Sequence, residues 1–314
     1  MIVKSHTHAG EVIMVERTHP QVLRRQGRGL CFLRMAVSER FDVMKRKNYY
    51  GTNVFVTGAS SGIGRSCALM FAKHGFDVTG VSRNVEEKTK GIPGKGSLTL
   101  RRLDVTDETA TREFVEKLPG IDIAVLCAGM GVAGPAETTA SELTRRQMEV
   151  NYFGTLHAAL PCLGRMREQG RGLLIVMGSI AGRVSIPMQS QYSASKYALE
   201  AFTDAVRMEM RPYGVRACII EPGDMKTGFT AARVMQPSEV YGSRLRKSVA
   251  RMASDEQNGR SPDDAAKVVL ALAGRRNPPA RVPVGLEYKV LMQLLRIAPD
   301  WAREIAVSKL YLPK

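Results

Sequence analysis

The sequence contains no long apolar run, and none of its apolar stretches approaches the roughly 20 residues that a membrane-spanning helix requires. Its 314 residues include only five cysteines, which show neither a disulfide framework nor the C-x-x-C spacing of a metal site. We therefore expect no bound metal, and we expect the cysteines to act as small apolar side chains in a reducing compartment, the cytoplasm. They are Cys31, Cys67, Cys127, Cys162 and Cys218.

Acidic residues are scarce relative to basic ones. The chain has 30 Asp and Glu against 46 Lys and Arg, which gives a formal net charge of +16. Such an excess invites anionic partners. However, aromatic residues do not interleave with the basic ones, and no helix-turn-helix or RNA-binding signature is present, so we expect no nucleic-acid partner. Most of this charge is expected to form a solvated basic surface.

Residues 1–50 lack the hydrophobic periodicity of the rest of the chain. We interpret them as a disordered or non-native extension, because Met44 opens a stretch that would form a natural beginning. An Arg-rich targeting peptide is the alternative. Glu11 and Glu16 count against it, as does the lack of a long apolar core.

From residue 52 onward, short β-branched runs alternate with helical stretches. Seven such runs predict a Rossmann-like α/β fold, with a doubly wound parallel sheet of about seven strands and helices on both faces. We expect one domain over residues 51–285. The runs are NVFVTG, FDVTGVS, SLTLRRLDV, IDIAVLCAG, GLLIVMGS, VRACIIEPG and ARVPVG.

Residues 286–314 form a C-terminal tail that Pro299 interrupts. Its apolar spacing predicts an amphipathic helix. Packing on its own domain is the favoured interpretation, because such stripes usually face a core. Two alternatives remain open: a cap over a substrate pocket, and an element that contacts a membrane surface. The apolar residues of the pattern are Val290, Leu291, Leu294 and Leu295.

A glycine-rich loop joins the first predicted strand to the first predicted helix. Glycines at this point let the backbone turn tightly and approach a pyrophosphate, which the free N–H groups of the helix N-terminus would bind. Strand, loop and helix together are the context that dinucleotide binding requires. The candidate binding residues are Gly58, Ser60, Ser61, Gly62, Ile63 and Gly64.

The end of the second predicted strand indicates which dinucleotide would bind. A carboxylate there would bind the ribose 2′-hydroxyl of NAD, but the chain has Ser82 and Arg83 instead. Because a guanidinium can pair with a 2′-phosphate, we predict NADP(H). Asp104, at the end of the third strand, is a candidate for the adenine amino group. Its alternative role is to cap the helix that begins near Asp107.

Tyr192 and Lys196 lie four residues apart in YSASK, on one face of a predicted helix. A free tyrosine has a pKa of about 10 and is a poor acid–base group at neutral pH. A neighbouring ammonium and a positive nicotinamide ring would both lower that pKa. The pair is weak support when taken alone, because the chain has 9 tyrosines. A second polar candidate, Ser179, ends the preceding predicted strand.

Taken in order, these motifs resemble those of the short-chain dehydrogenase/reductase family. The resemblance covers roughly residues 52–230 and rests on TGASSGIG, Asp104, CAG, Asn151, Ser179, YSASK and PGDMKT. It implies an enzyme that interconverts a carbonyl and an alcohol.

The resemblance also implies a role for each member of a catalytic tetrad. Tyr192 would exchange the proton with the substrate oxygen, to which Ser179 would donate a hydrogen bond. Lys196 would lower the pKa of Tyr192 and bind the nicotinamide ribose. Asn151 would hold a water that links Lys196 to solvent.

Further contacts with the dinucleotide are implied in the same way. Besides Tyr192 and Lys196, they involve Val105, Ala128, Gly129, Pro222, Gly223 and Thr227, of which the last three would border the nicotinamide. One departure stands out, because the family often reads Asn-Asn-Ala-Gly where this chain has Leu126-Cys127-Ala128-Gly129. We expect apolar groups to repack there, which puts a side-chain contact between Cys127 and the cofactor in doubt.

Apolar residues near the strand ends and the tyrosine helix would line a substrate pocket or, with equal weight, fill the core. They predict a hydrophobic ketone, aldehyde or alcohol such as a steroid, a retinoid or a lipid. The chain is similar to the hydroxysteroid- and retinol-dehydrogenase-like branch of the family. The candidate lining residues are Met130, Val132, Met188, Met225, Phe229, Val234 and Met235.

Two other functions stay open. A 3-oxoacyl-[acyl-carrier-protein] reductase would suit the basic surface, although the last strand lacks a glycine-rich ending and the tail is long. A nonenzymatic dinucleotide-binding regulator would have no need of Tyr192 and Lys196 together. Since the family commonly pairs subunits through the tyrosine helix, we also expect a homodimer or homotetramer.

Overall fold

The computed structural model describes residues 48–93 and 95–312. The interpretation of residues 1–47 as an extension lies outside the described residues. Residues 48–50, assigned to the same extension, belong to the folded part. Tyr50 is buried, and its hydroxyl donates a hydrogen bond of 2.9 Å to the carbonyl of Arg275. The domain therefore begins slightly before the boundary that the hydrophobic pattern indicates.

Eight strands form the central sheet, in the order β10-β8-β7-β5-β1-β2-β4-β3. All neighbours are parallel except β3, which runs antiparallel to β4. The strands β2, β3 and β4 lie on one side of β1, and the strands from β5 onward lie on the other side. The strands are β1 (Asn53–Thr57), β2 (Asp77–Ser82), β3 (Lys88–Gly91), β4 (Ser97–Arg102), β5 (Ile123–Leu126), β7 (Gly172–Met177), β8 (Val215–Glu221) and β10 (Arg281–Pro283).

The α/β prediction is confirmed, because all seven predicted runs form strands of this sheet. The sequence pattern missed β3, whose residues are all exposed, so that no apolar alternation marks it. It also missed a separate parallel pair formed by β6 (Val132–Ala133) and β9 (Val234–Met235). Strands of two residues are too short to produce a period in the sequence.

Helices flank the sheet and complete the core. The longer ones are α1 (Gly62–Lys73), α2 (Glu108–Glu116), α3 (Ser141–Met148), α4 (Gly154–Gln169), α5 (Ser190–Glu209), α7 (Gly242–Gln257) and α8 (Pro262–Ala273). A single turn, α6 (Phe229–Ala232), precedes β9, and a π-helical turn at Glu149–Phe153 precedes α4. Two C-terminal helices follow the sheet, α9 (Leu286–Ile297) and α10 (Asp300–Tyr311).

The central strands are buried on both faces. Every residue of β5 and β7 is buried, which explains why both read as continuous apolar runs rather than as alternating patterns. Helices α4 and α5 contribute Ala158, Cys162 and Leu199 to one cluster with strand residues. Helices α1 and α8 pack on each other. This arrangement leaves the carboxyl ends of the strands free to form a site, as is usual in such folds.

No helix within the described ranges is both long enough and apolar enough to cross a membrane.

Candidate active site

The glycine-rich loop forms a tight cradle between β1 and α1. Gly58 has φ +70 and Gly62 has φ +52, a region that disfavours residues with a side chain. A Cβ at Gly64 would collide with the carbonyl oxygen of Gly58, so the loop also needs glycine there for close approach. Ser61 is the N-cap of α1 and its side chain makes no capping bond. The loop and helix N-terminus therefore fit the diphosphate of a dinucleotide.

A cavity of about 930 Å³ extends from this cradle along the carboxyl ends of the strands. It brings together all of the predicted cofactor-binding residues and three of the four catalytic candidates. On its wall lie Gly58, Ser60, Ser61, Gly62, Ile63, Gly64, Arg83, Asp104, Val105, Ala128, Gly129, Ser179, Tyr192, Lys196, Pro222, Gly223 and Thr227. The fourth catalytic candidate, Asn151, lies behind the wall.

Arg83 lies where the cavity meets a smaller recess. This recess, of about 290 Å³, is lined by Arg83, Arg145 and Arg146 together with Thr106, Glu149 and Val150. None of the three arginine side chains forms an ion pair with the described residues. The Ser60 and Ser82 hydroxyls hydrogen-bond at 2.9 Å and join the glycine-rich loop to the end of β2. The result is a recess beside the cradle with three guanidinium groups and one carboxylate, and therefore a net positive charge.

Asp104 does not cap α2. Its carboxylate accepts hydrogen bonds from the backbone N–H and the hydroxyl of Thr106, at 3.0 and 2.9 Å. The N-cap is Asp107, whose side chain accepts from the N–H of Ala110. Asp104 therefore stabilises the turn after β4 while lining the cavity, where it is available to an adenine.

Tyr192 and Lys196 lie on the same wall of the cavity, one turn apart on α5. The Lys196 ammonium nitrogen is 5.8 Å from the centre of the Tyr192 ring, and it donates a hydrogen bond of 2.8 Å to the carbonyl of Met177. The geometry thus joins the two groups and fixes Lys196 to the end of β7.

Burial shifts the pKa values of both members of the pair. Burial raises the pKa of Tyr192 to about 12, and a hydrogen bond with Ser179 only partly opposes that rise. Burial lowers the pKa of Lys196 to about 8. In the chain alone, burial therefore outweighs every charge that acts on the Tyr192 phenol. The lowering of its pKa by the Lys196 ammonium together with a bound nicotinamide stays a prediction.

Ser179 follows β7 and begins a short 3₁₀ turn. Its hydroxyl accepts a hydrogen bond of 3.1 Å from the N–H of Ala181, which orients the oxygen at the cavity wall. Ser179 does more than end a strand, since its hydroxyl also donates a hydrogen bond of 3.5 Å to the carbonyl of Pro222 and lowers the pKa of the neighbouring Tyr192.

Asn151 lies in the π-helical turn and is fully buried. Its amide oxygen accepts from the N–H of Met130 at 2.8 Å, and its nitrogen donates to the carbonyl of Met130 and to the Ser195 hydroxyl. The side chain therefore ties the segment after β5 to the tyrosine helix. A π-turn has no sequence signature, which is why the backbone here could not be predicted.

The departure at Cys127 is accommodated by Thr57. The Thr57 hydroxyl accepts hydrogen bonds from the backbone N–H groups of Cys127 and Ala128, at 3.0 and 3.1 Å. The neighbouring Cys127 thiol and burial raise the pKa of Cys67. The Thr57 hydroxyl thus binds the backbone in the region where we expected apolar repacking.

The substrate end of the cavity contains only part of the predicted lining. Met130, Met225 and Phe229 line it, and the Phe229 ring lies 5.7 Å from that of Tyr192. The other four candidates do not line it. Val132 and Met188 are buried, and Val234 and Met235 form β9. The sequence could not separate lining from packing, because both select the same apolar residues.

The C-terminal helices supply lining that the sequence analysis missed. The cavity-lining side chains of α9 and α10 are Tyr288, Leu291, Leu295, Ala306, Val307, Leu310 and Tyr311. The Tyr288 hydroxyl donates to the Asp224 carboxylate at 2.7 Å and accepts from the Asp224 N–H at 2.9 Å. A Cβ on Gly223 would collide with the Tyr288 ring. These contacts hold α9 against the loop after β8, so the tail packs on its own domain and also forms part of the cavity wall.

A buried ion pair supports the wall opposite Tyr192. Arg233 donates to the Glu256 carboxylate, which also accepts from the Thr230 hydroxyl. The Arg233 guanidinium lies 5.9 Å from the centre of the Phe229 ring. The pair therefore joins α6 to α7 and fixes Phe229 against Tyr192.

Comparison with known proteins agrees with this geometry. A family model described as short chain dehydrogenase matches residues 52–237. A 3-ketodihydrosphingosine reductase of Bacteroides thetaiotaomicron is 33% identical over 246 residues, which cover 76% of this chain and 89% of that protein. Dehydrogenase/reductase SDR family member 7B of Xenopus laevis is 30% identical over 260 residues, covering 78% of each.

Solved structures share the fold. A short-chain dehydrogenase from Streptomyces avermitilis has a TM-score of 0.70 at 25% identity, covering 84% of this chain and 97% of that one. One from Burkholderia cenocepacia, in complex with NADP, has a TM-score of 0.64 at 24% identity, covering 83% and 97%. One from Burkholderia phymatum, in complex with NAD, has a TM-score of 0.67 at 19% identity, covering 80% and 94%.

The chain therefore belongs to the short-chain dehydrogenase/reductase family. Within that family it is an oxidoreductase whose fold binds a nicotinamide dinucleotide and whose chemistry concerns CH–OH groups.

Proposed function

We propose that this protein is an NADP(H)-dependent oxidoreductase that interconverts a hydrophobic ketone or aldehyde and the corresponding alcohol. The observation that carries the proposal is the position of Tyr192 and Lys196 on one wall of a cavity that begins at the glycine-rich cradle. A purely binding protein has no need of a phenol on the cavity wall beside a buried amine.

The protein's own residues would position the substrate and supply the proton. A bound nicotinamide would supply or accept the hydride. Because the pKa of Tyr192 is raised to about 12, its phenol is protonated at neutral pH and can donate to a carbonyl oxygen during reduction. Ser179 would donate a hydrogen bond to the same oxygen. The Lys196 ammonium would then stabilise the phenolate that remains.

Asn151 acts through other residues in this proposal. By binding Met130 and Ser195 it would keep the loop after β5 in register with the tyrosine helix. Its link through water to Lys196 remains a prediction from the family resemblance.

The preference for NADP(H) rests on charge. The end of β2 has no carboxylate to repel a 2′-phosphate, and Arg83 is exposed there. Arg145 and Arg146 add two further cations around the same recess. Three guanidinium groups without ion-pair partners in the described part of the chain would attract a phosphate dianion.

The preference for a hydrophobic substrate rests on the lining contributed by α9, α10, Met130, Met225 and Phe229. The Bacteroides thetaiotaomicron relative, a reductase of 3-ketodihydrosphingosine, is consistent with a long-chain ketone. The carrier-protein reductase is less well supported, because the last strand lacks a glycine-rich ending and the long C-terminal tail contributes to the cavity wall.

We also propose that the enzyme self-associates through the tyrosine helix and its neighbour α4, and that it functions in the cytoplasm. Phe153, Leu160, Tyr197 and Met208 expose apolar surface on this side. Among the described residues the four cysteines are free thiols, which suits a reducing compartment. Sedimentation at micromolar concentration would reveal a dimer or tetramer; a monomer alone would contradict self-association.

The test of the enzyme proposal is consumption of NADPH with a panel of hydrophobic ketones, including long-chain 3-keto compounds. Turnover with at least one of them is expected. Tight NADPH binding without turnover across the panel would contradict the proposal and favour a dinucleotide-binding regulator.

A further inference from the structure

The C-terminal helices expose a continuous apolar stripe, which we call the outer stripe. It consists of Leu286, Val290, Leu294 and Ile297 on α9 and Trp301 and Ile305 on α10, which are between 48% and 81% exposed. Their spacing, mostly four residues apart, places each set on one side of its helix. A soluble domain rarely leaves a row of large apolar side chains in water without a partner.

The opposite sides of the same helices are already used. Leu291 and Leu295 of α9 and Val307 and Leu310 of α10 line the cavity. The outer stripe is therefore additional to the apolar side that each helix packs against its own domain. Both helices are apolar on two sides, one toward the cavity and one toward the surroundings.

Charge identifies the occupant of the outer stripe. Lys289, Arg296 and Lys309 lie on the same two helices, and none of them pairs with an acidic side chain in the described part of the chain. Of the acidic residues there, Glu287 pairs with Arg260 and Asp300 with Arg303, which leaves one unpaired carboxylate, Glu304, against three unpaired cations. A single tryptophan with unpaired lysine and arginine beside an apolar face is the composition of helices that lie in a membrane interface. A second copy of a chain with a net charge of +16 would bring like charges together at this face.

We propose that the outer stripe docks on an anionic lipid surface, with α9 and α10 lying in the interface and not crossing it. Docking would place the cavity wall formed by these helices at the lipid bilayer, in which an apolar ketone substrate would be dissolved. This second point rests on the proposed function, whereas docking itself does not.

The chain contains one tryptophan, so tryptophan fluorescence of the full protein reports on Trp301 alone. We expect its emission to shift to shorter wavelength with vesicles of phosphatidylcholine and phosphatidylserine, and to be quenched by lipids brominated on the acyl chains. Vesicles of phosphatidylcholine alone should produce a smaller change. No change with either vesicle would overturn the proposal. So would a shift that follows protein concentration without lipid, because it would identify a second copy as the occupant.

Two sets of variants locate the contact while keeping the fluorescent probe. Val290→Ser with Ile297→Ser should weaken vesicle binding about tenfold or more, because two apolar side chains no longer leave water. Lys289→Gln with Arg296→Gln should remove the difference between the two vesicles. The control is Tyr213→Ser with Val240→Ser, two exposed apolar residues outside α9, α10 and the proposed self-association surface. Equal loss of binding in the control would contradict docking through the outer stripe.

NADPH turnover of a short, water-soluble ketone, measured in the same samples, separates the two proposals. Docking without turnover in the wild type contradicts only the enzyme proposal. Turnover without docking contradicts only the lipid proposal. Turnover should be unchanged in Val290→Ser with Ile297→Ser, since neither residue lines the cavity.

Discussion

The Lys196 ammonium nitrogen lies 5.8 Å from the centre of the Tyr192 ring and is held there by a hydrogen bond of 2.8 Å to the carbonyl of Met177. Lys196 is buried and Tyr192 is half-buried, and desolvation favours the uncharged form of each. The pKa of Tyr192 is raised to about 12 and that of Lys196 is lowered to about 8. The pair is therefore arranged to donate a proton at neutral pH more readily than to accept one.

This arrangement predicts different pH dependences for the two directions of the reaction. Ketone reduction requires the phenol form of Tyr192, so its rate should stay nearly constant between pH 6 and 8. Alcohol oxidation requires the phenolate, so its rate should rise with pH through and above that interval. Initial rates in both directions across this range are the measurement. An oxidation rate that falls as pH rises from 7 to 9, with the protein still folded, would refute this assignment.

Arg83 should determine the choice of cofactor. Arg83→Ala removes one charge-assisted contact with a 2′-phosphate, a loss of about 1.5–3 kcal/mol, which raises the KM for NADPH roughly 10- to 100-fold. The KM for NADH should change little. Arg112→Ala, an exposed arginine on α2, is the matched control and should change neither constant. Equal effects of Arg83→Ala on the KM for both cofactors would contradict the claim that Arg83 binds the 2′-phosphate.

Tyr288 should hold the C-terminal helices over the cavity. Tyr288→Phe removes both hydrogen bonds to Asp224 and leaves a carboxylate and an N–H without their partner. We expect faster hydrogen exchange in α9 and α10 and a higher KM for a long hydrophobic ketone, with kcat for a small ketone largely retained. The control is Tyr213→Phe, because Tyr213 is exposed and lies outside the C-terminal helices. Unchanged exchange in α9 would show that other contacts hold the cap.

Glu200, one turn beyond Lys196, should make stability depend on pH. Burial and the neighbouring Glu221 carboxylate raise its pKa from 4.5 to about 7, although Arg281 opposes the rise. Because the folded-state pKa lies above the unfolded value, this contribution is complete below pH 4.5 and is lost as pH rises through 7. Glu200→Gln should therefore lose less stability than the wild type between pH 5 and 8.

Urea unfolding at those two pH values measures the effect of Glu200. Glu209→Gln, an exposed residue of the same helix, should behave like the wild type. If Glu200→Gln keeps the full pH dependence of the wild type, another buried group must carry it.

The sheet could be predicted from the sequence because its central parallel strands are buried on both faces and read as apolar runs. The strand β3 could not, because KTKG is exposed on both faces. The cradle is encoded locally, by glycines at fixed spacing between a strand and a helix. The direction in which the pKa of Tyr192 shifts could not be predicted from neighbouring residues in the sequence. Burial by residues distant in the chain, rather than the ammonium four residues away, decides it.

The tail illustrates the same limit. Its apolar spacing predicts a helix but cannot say which side faces what, and here both sides are apolar. Tyr288 reaches Asp224, 64 residues away in sequence, so only the folded chain reveals the cap. Asn151 was a candidate from the family resemblance, yet the π-turn that positions it has no pattern of its own.

The central claim is that the Tyr192 phenol transfers the proton, and the most direct measurement is single-turnover oxidation of NADPH by Tyr192→Phe with a ketone that the wild type reduces. The account predicts that the rate falls by at least about 10²-fold, that NADPH binds as before, and that Tyr197→Phe, one residue beyond Lys196, reacts like the wild type. An undiminished rate in Tyr192→Phe would contradict the account.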